Sequence, residues 1–245
     1  MIVFIIIILL ILFLLLENCF ISKIENFNLD KFGIYIINLD SRIDRFQITS
    51  NLLNKYDFKN IIRFSAINGK NLSKNELTKI IEPSALKSIF DNYRKEHYEL
   101  SYGAVGCSLS HFNLWKKLEI DNLDSIIIFE DDTFPSFNFI ELQQIIENYA
   151  PNDWDIILFG GIYNKYKNIN NYIHKIYSFY QTHAYIINKK GALKLLDKAF
   201  PIKKQIDSWL SDLSSDNLVN IYGIIQNKWI QNPEINYTDI QTEIK

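Results

Sequence analysis

Glu130, Asp131 and Asp132 form the densest chemical group in the chain, directly after an apolar run, Ser125–Phe129 (SIIIF). Three adjacent carboxylates repel one another, and each is pushed toward its neutral form unless a counter-charge is supplied. A divalent cation supplies one, and an all-oxygen ligand set favours Mg2+ or Mn2+. An ion held there could hold a diphosphate and stabilise it as a leaving group. Extended backbone would turn Glu130 and Asp132 to one face and Asp131 to the other. The bland alternative is a solvated acidic turn that only ends the strand.

The sequence contains no glycine-rich phosphate loop of the Walker or dinucleotide type. A metal is then the more natural way to neutralise a bound nucleotide's phosphates. With 26 basic and 28 acidic residues and a net charge of −2, no broad phosphate-tracking surface is expected, and nucleic acid is set aside as a partner. Two cysteines exclude a disulfide framework, and 8 Gly with 5 Pro exclude collagen-like or linker-rich designs. A chain of 245 residues can bury a core without such staples.

Elements that alternate in type would position the acidic group. Gly33–Asn38 reads as a buried strand, and Asp40 or Ser41 could cap a helix over Arg42–Lys55. Ile61–Phe64 is a second strand candidate. Ser73 with Glu76 reads as a capping box, and Pro83-Ser84 opens another helix. Over Gly103–Ile120, Ala104, Cys107, Ser108, His111, Leu114, Trp115 and Leu118 share one helical face. Ser125–Phe129, Asp155–Phe159 and Ala184–Asn188 are further strands, the last followed by a helix over Lys189–Lys198. Tyr163–Tyr180, rich in Tyr and Asn, reads as a long lid-like loop or as a β-hairpin. The alternation implies an α/β fold with a mostly parallel central sheet and helices on both faces. Ligands of such sheets bind at the carboxyl ends of strands, here Asn38-Leu39-Asp40, Glu130-Asp131-Asp132 and Gly160-Gly161.

Met1–Leu16 carries no polar side chain. Residues 1–21 read as a single-pass membrane anchor or, alternatively, a cleaved signal peptide, with 22–31 a linker and 32–245 one domain. The expected location is membrane-associated, in the secretory pathway or cell envelope, or secreted if the segment is removed.

Several segments in order resemble glycosyltransferase family 25: Ile34–Arg45 (IYIINLDSRIDR), Gly103–Leu114 (GAVGCSLSHFNL), Ile128–Asp132 (IFEDD), Trp154–Gly160 (WDIILFG) and Thr182–Gly191 (THAYIINKKG). Gly-x-x-Gly-Cys-x-x-Ser-His is the most specific of these. Asn68 departs from the Asp usual before Gly69, and Gln226-Asn227-Lys228 replaces a proline-containing stretch. The resemblance implies a GT-A type nucleotide-sugar-binding fold, a UDP-sugar donor and an inverting transfer. Within that reading Asp132 is the first candidate ligand of Mn2+ or Mg2+, Glu130 the next, through a water or the ribose, and His183 a further metal or phosphate ligand. Asn38, Asp40, Arg42, Arg45, Ser110, His111 and Gly160 become candidates for the donor pocket. Structural roles compete for several: Asp40 as a helix cap, Arg42 and Arg45 as a solvated face with Asp44, and His111 as a core histidine. Cys107 reads as a small apolar filler.

An inverting transfer needs a base for the acceptor hydroxyl. Asp207 is the candidate, with Trp209 beside it either stacking on a sugar or filling the core. The reading is a metal-assisted transfer of a hexose, galactose or glucose, from a UDP-sugar to a hydroxyl of a glycan or of a hydroxylated protein side chain. A non-catalytic, transferase-like glycan-binding or adhesion protein is the alternative.

Overall fold

The computed structural model describes residues 32–225 and 229–231. The expected anchor or signal segment, the linker, and Gln226–Lys228 lie outside the described residues. Among the described residues, no helix is long and apolar enough to cross a membrane.

Among the described residues, eight strands form one sheet in the order β2-β1-β3-β8-β5-β9-β7-β6. They are β1 (Phe32–Asn38), β2 (Ile61–Ser65), β3 (Ser125–Glu130), β5 (Ile156–Leu158), β6 (Ile162–Asn168), β7 (Ile173–Tyr180), β8 (Ala184–Asn188) and β9 (Ile221–Ile224). β1 pairs in parallel with β2 and β3, and β5 with β9, whereas β8 and β7 run against their neighbours. The sheet is thus largely co-directional with two reversed strands. A short antiparallel ribbon, β4 (Thr133–Phe134) with β10 (Ile230–Gln231), sits beyond the end of β3.

β3 is buried on both faces, so it reads as a continuous apolar run rather than an alternating one. One face packs beneath α1 (Ile43–Lys55) and α5 (Phe139–Tyr149) through Leu53, Leu142 and Ile146. The other packs beneath α2 (Lys74–Ile80), α3 (Leu86–Phe90), α4 (Tyr102–Ile120), α6 (Lys189–Leu196) and α7 (Ile206–Ser215). Each fully buried Ile or Phe of these two cores contributes roughly 1.5–3 kcal/mol.

α4 is more deeply buried than one apolar stripe predicts. Val105, Gly106, Ser110 and Phe112 are buried in addition to most of the expected face. The helix is enclosed by the sheet, by α6 and α7, and by the 3-10 turn Gly69–Asn71. That last approach requires glycine twice. A Cβ on Gly69 would lie 1.7 Å from the Tyr102 carbonyl oxygen, and one on Gly106 would lie 2.3 Å from that of Ile67.

Two local expectations change. The Ser73–Glu76 capping box forms, but neither Asp40 nor Ser41 caps α1, whose start has no side-chain cap. Asp40 opens a 3-10 turn instead, and its carboxylate binds Arg63 and Ser65. Tyr163–Tyr180 is not a long loop: it falls within the hairpin β6–β7, joined to the sheet through β9.

Candidate active site

A cleft opens where β1 and β3 end and α4 begins. Its wall includes Leu39, Arg45, Ile67, Asn68, Gly103, Cys107, Ser110, His111, Glu130, Asp131, Asp132 and Gln231. β3 stops at Glu130, so strand alternation stops there too, and all three acidic residues border the cleft. This corrects the expected two-face split.

Asp131 is tied into the scaffold. Its Oδ2 accepts a 2.7 Å hydrogen bond from Asn38 Nδ2, its Oδ1 lies 3.6 Å from the buried Arg45 guanidinium, and its carbonyl accepts from Thr49 Oγ1. Burial pushes its carboxyl up, while Asn38 and Arg45 pull it back. Asn38 is itself spent on structure. It donates to the Arg42 carbonyl as well as to Asp131, and its Oδ1 accepts from Arg63 Nε at 2.8 Å. Asp40 is exposed beside Arg63 and Ser65, and those partners hold its carboxyl low. Arg42 faces Asp44 at 3.4 Å. Asn38, Asp40 and Arg42 therefore stand around the cleft without lining it, whereas Arg45 lines it.

Glu130 sits in a basic and polar nest. Its Oε1 accepts from Thr182 Oγ1 at 3.2 Å and lies 3.5 Å from His111 Nε2. Burial pushes Glu130 up, but the neighbouring His111 and His183 rings and the Thr182 hydroxyl outweigh it and hold the carboxyl below its ordinary value. Asp132 is the opposite case. Burial, with repulsion from Glu130 and Asp131, pushes it up to about 7. Among the described residues, its buried Oδ1 has no hydrogen-bond partner. An oxygen in that state is what a cation would relieve, so Asp132 and Glu130 fit a divalent metal chemically.

His111 is fully buried on α4 at the cleft wall. Its Nδ1 lies 2.7 Å from the Tyr185 hydroxyl, which also accepts from Trp115 Nε1 at 3.0 Å. Trp115 can only donate, which leaves the Tyr185 hydrogen free for His111 Nδ1, the arrangement in which the ring proton is on Nε2, toward Glu130; a protonated Nδ1 could instead donate to the same Tyr185 oxygen. Ser110 donates to the Gly106 carbonyl and accepts from Ile67 N, pinning the loop after β2 to α4.

His183, Gly160 and Asp207 are not among the residues that line the cleft. His183 is fully buried, its carbonyl accepts from Glu130 N, and its Nε2 donates to the Trp229 carbonyl. Burial pushes its imidazole toward the neutral form. Gly160 is packed against Trp229 and His183 and does not line the cleft. Asp207, near the start of α7, accepts from the amides of Gln181 and Ser208. Gln181 has φ 74°, and Asp207 holds it there. Burial raises the Asp207 carboxyl. Trp209 packs against Phe112 and Trp115 in the core.

The structure also brings Cys107, read from the sequence as apolar filler, next to two of the candidates. Ligand atoms of Cys107, His111 and Glu130 lie within 4.8 Å of one another. Their signal was available, since Cys107 and His111 are spaced i, i+4 on one helix. Tyr185 and Thr182 carry the network, but Tyr185 looks like an ordinary strand residue and Thr182 like part of the turn before it.

The family model of glycosyltransferase family 25 (LPS biosynthesis protein) matches residues 32–210. A glycosyltransferase 25 family member of Drosophila melanogaster is 32% identical over 194 residues, covering 74% of this chain and 31% of the relative. Procollagen galactosyltransferase 1 of Danio rerio is 30% identical over 189 residues, covering 72% of this chain and 30% of the relative. The chain thus spans about a third of the length of these curated relatives. The crystal structure of mouse xyloside xylosyltransferase 1 is similar at 10% identity and TM-score 0.42, over 78% of this chain and 83% of that one. The match across residues 32–210, with the acidic strand end and the Gly103–His111 helix start inside it, shows that the chain belongs to glycosyltransferase family 25.

Proposed function

We propose that the chain is an inverting glycosyltransferase that moves a hexose, galactose or glucose, from a UDP-sugar to a hydroxyl of a glycan or hydroxylated protein side chain. The observation that carries this reading is Asp132, half-buried at the cleft, whose buried Oδ1 has no hydrogen-bond partner among the described residues. Asp132 and Glu130 would hold Mn2+ or Mg2+. When bound, the ion supplies positive charge to a leaving diphosphate. Arg45 on the same wall adds a fixed charge for the phosphates, and His111 and Ser110 shape the pocket next to it. Asp207 is proposed to take the acceptor proton, and the raised affinity of its carboxyl for a proton suits a base. A GT-A type arrangement of the sheet accords with this division of labour. Residues 1–21 are proposed to attach the chain to a membrane of the secretory pathway or cell envelope.

The test is UDP release by the full chain with Mn2+ and a panel of UDP-sugars. Asp132→Asn should lower the rate on the order of 100-fold, as expected for losing several kcal/mol of charge stabilisation. Absence of turnover with every donor, together with glycan binding that survives chelation, would favour a non-catalytic binding protein.

A further inference from the structure

We propose that Cys107, His111 and Glu130 form a second cation site, selective for a borderline-soft divalent ion of the Zn2+ class and sharing Glu130 with the proposed donor metal.

The ligand set is one sulfur, one imidazole nitrogen and one carboxylate oxygen, all within 4.8 Å of one another. That combination suits Zn2+ rather than Mg2+ or Mn2+, which prefer oxygen throughout. Bonds of roughly 2.0–2.3 Å in tetrahedral geometry set ligands about 3.3–3.7 Å apart. His111 Nε2 and Glu130 Oε1, at 3.5 Å, already have that spacing. The Cys107 thiol has at most about 1.5 Å to close, within reach of a side-chain rotation.

A second observation points to a ligand. His111 is 0% exposed, yet among the described residues its Nε2 has no partner in hydrogen-bond geometry, only the Glu130 carboxylate at 3.5 Å. A buried polar atom in that state is costly unless something else occupies it. The outer shell is also in place. With an ion on Nε2, the ring proton moves to Nδ1, where the Tyr185 oxygen accepts it alongside the Trp115 donor. Such support fixes the tautomer and orientation of a ligating histidine. Cys107 and His111 come one turn apart from a rigid helix, and Glu130 from a buried strand end. All three reach the cleft wall, which gives the ion an entry path and leaves its fourth position toward solvent. Binding forms a metal–sulfur bond and releases the thiol proton to water. Because Glu130 cannot serve both ions fully, Zn2+ at this site should compete with the proposed donor metal.

The experiment titrates the full metal-free chain with Co2+ as a spectroscopic stand-in for Zn2+. Expected is one Co2+ per chain with a thiolate-to-Co2+ charge-transfer band, displaced by Zn2+. Cys107→Ser should remove the band and weaken binding at least tenfold while its circular dichroism melt stays cooperative. Asp132→Asn should keep the band, whichever way the transferase test falls. No Co2+ uptake, uptake without a thiolate band, or unchanged affinity in Cys107→Ser overturns the proposal. If Cys107→Ser fails to fold, alkylation of the wild-type chain decides. Zn2+ should slow iodoacetamide labelling of the Cys107 peptide at least tenfold, and equal labelling with and without Zn2+ overturns the site.

Discussion

Asn38 and Asp131, 93 positions apart in the chain, meet through a 2.7 Å hydrogen bond that joins the end of β1 to the acidic turn after β3. Asn38 also binds the Arg42 carbonyl and accepts from Arg63. Asn38→Ala removes every one of these partners at once and leaves Asp131 with less support. It should cost about 2–4 kcal/mol, since a buried group stripped of its partner costs more than the bond was worth. Urea denaturation measures this. A loss under about 0.5 kcal/mol would show that solvent replaces Asn38 easily.

Tyr185→Phe deletes the hydroxyl that Trp115 and His111 share. Both buried partners then lose a hydrogen bond, and a loss of roughly 1–3 kcal/mol is expected. The His111 tautomer is no longer fixed, so its ring signals in NMR should shift or broaden. An unchanged midpoint with unchanged ring signals would contradict the network.

Gly106→Ala places a methyl 2.3 Å from the Ile67 carbonyl oxygen and 2.6 Å from the Gly69 nitrogen. Both are backbone atoms and cannot rotate away. The loop after β2 must shift from α4, at a cost of roughly 1–3 kcal/mol. Ile67, Asn68 and Gly69 line the cleft, so nucleotide binding should weaken along with stability. Calorimetric UDP titration beside a thermal melt separates the two effects.

Asp132 titrates in a direction that can be read without a substrate. Its folded carboxyl is pushed up to about 7, above its ordinary value. The folded state therefore holds this proton more tightly than the unfolded chain does. The stability that Asp132 contributes is full at low pH and is lost as pH rises through about 7. In chelator, Asp132→Asn should gain on the wild type between about pH 5 and pH 8, and Mn2+ should reverse the order at the higher pH. Urea midpoints at the two pH values test it. A wild-type-to-variant difference that stays flat with pH would remove the burial argument.

The strands β1, β3 and β8 were legible because each is an apolar run long enough for a strand and too short for a helix. The Ser73–Glu76 box was legible because its two residues satisfy each other locally. The reversal of β8 was not, since an apolar run buried on both faces carries no direction. α5 went unread although Asn138 and Glu141 form a capping box at its start. At the site, Asp132 and Glu130 were visible by type and place. Asn38 drew notice for position, but the structure spends its side chain on Asp131, Arg42 and Arg63, a role that only tertiary contact defines. Cys107 looked like filler because its two neighbours in the ligand cluster come from a helical turn and a distant strand.

The reversed strand β8 has a mechanical consequence. Because β8 runs against β3, the chain enters β8 at the end where β3 stops, and Gln181–His183 passes alongside Glu130. Gln181 is held by Asp207, Thr182 by Glu130, and His183 by the Trp229 carbonyl and by Glu130 N. Three consecutive residues thus yoke α7, the end of β3 and the segment before β10 into one rigid body. Glu130 and Asp207 share no hydrogen bond, yet neither can move alone. Substitutions at the two carboxylates should behave as one unit, with a double variant losing less than the sum of its parts.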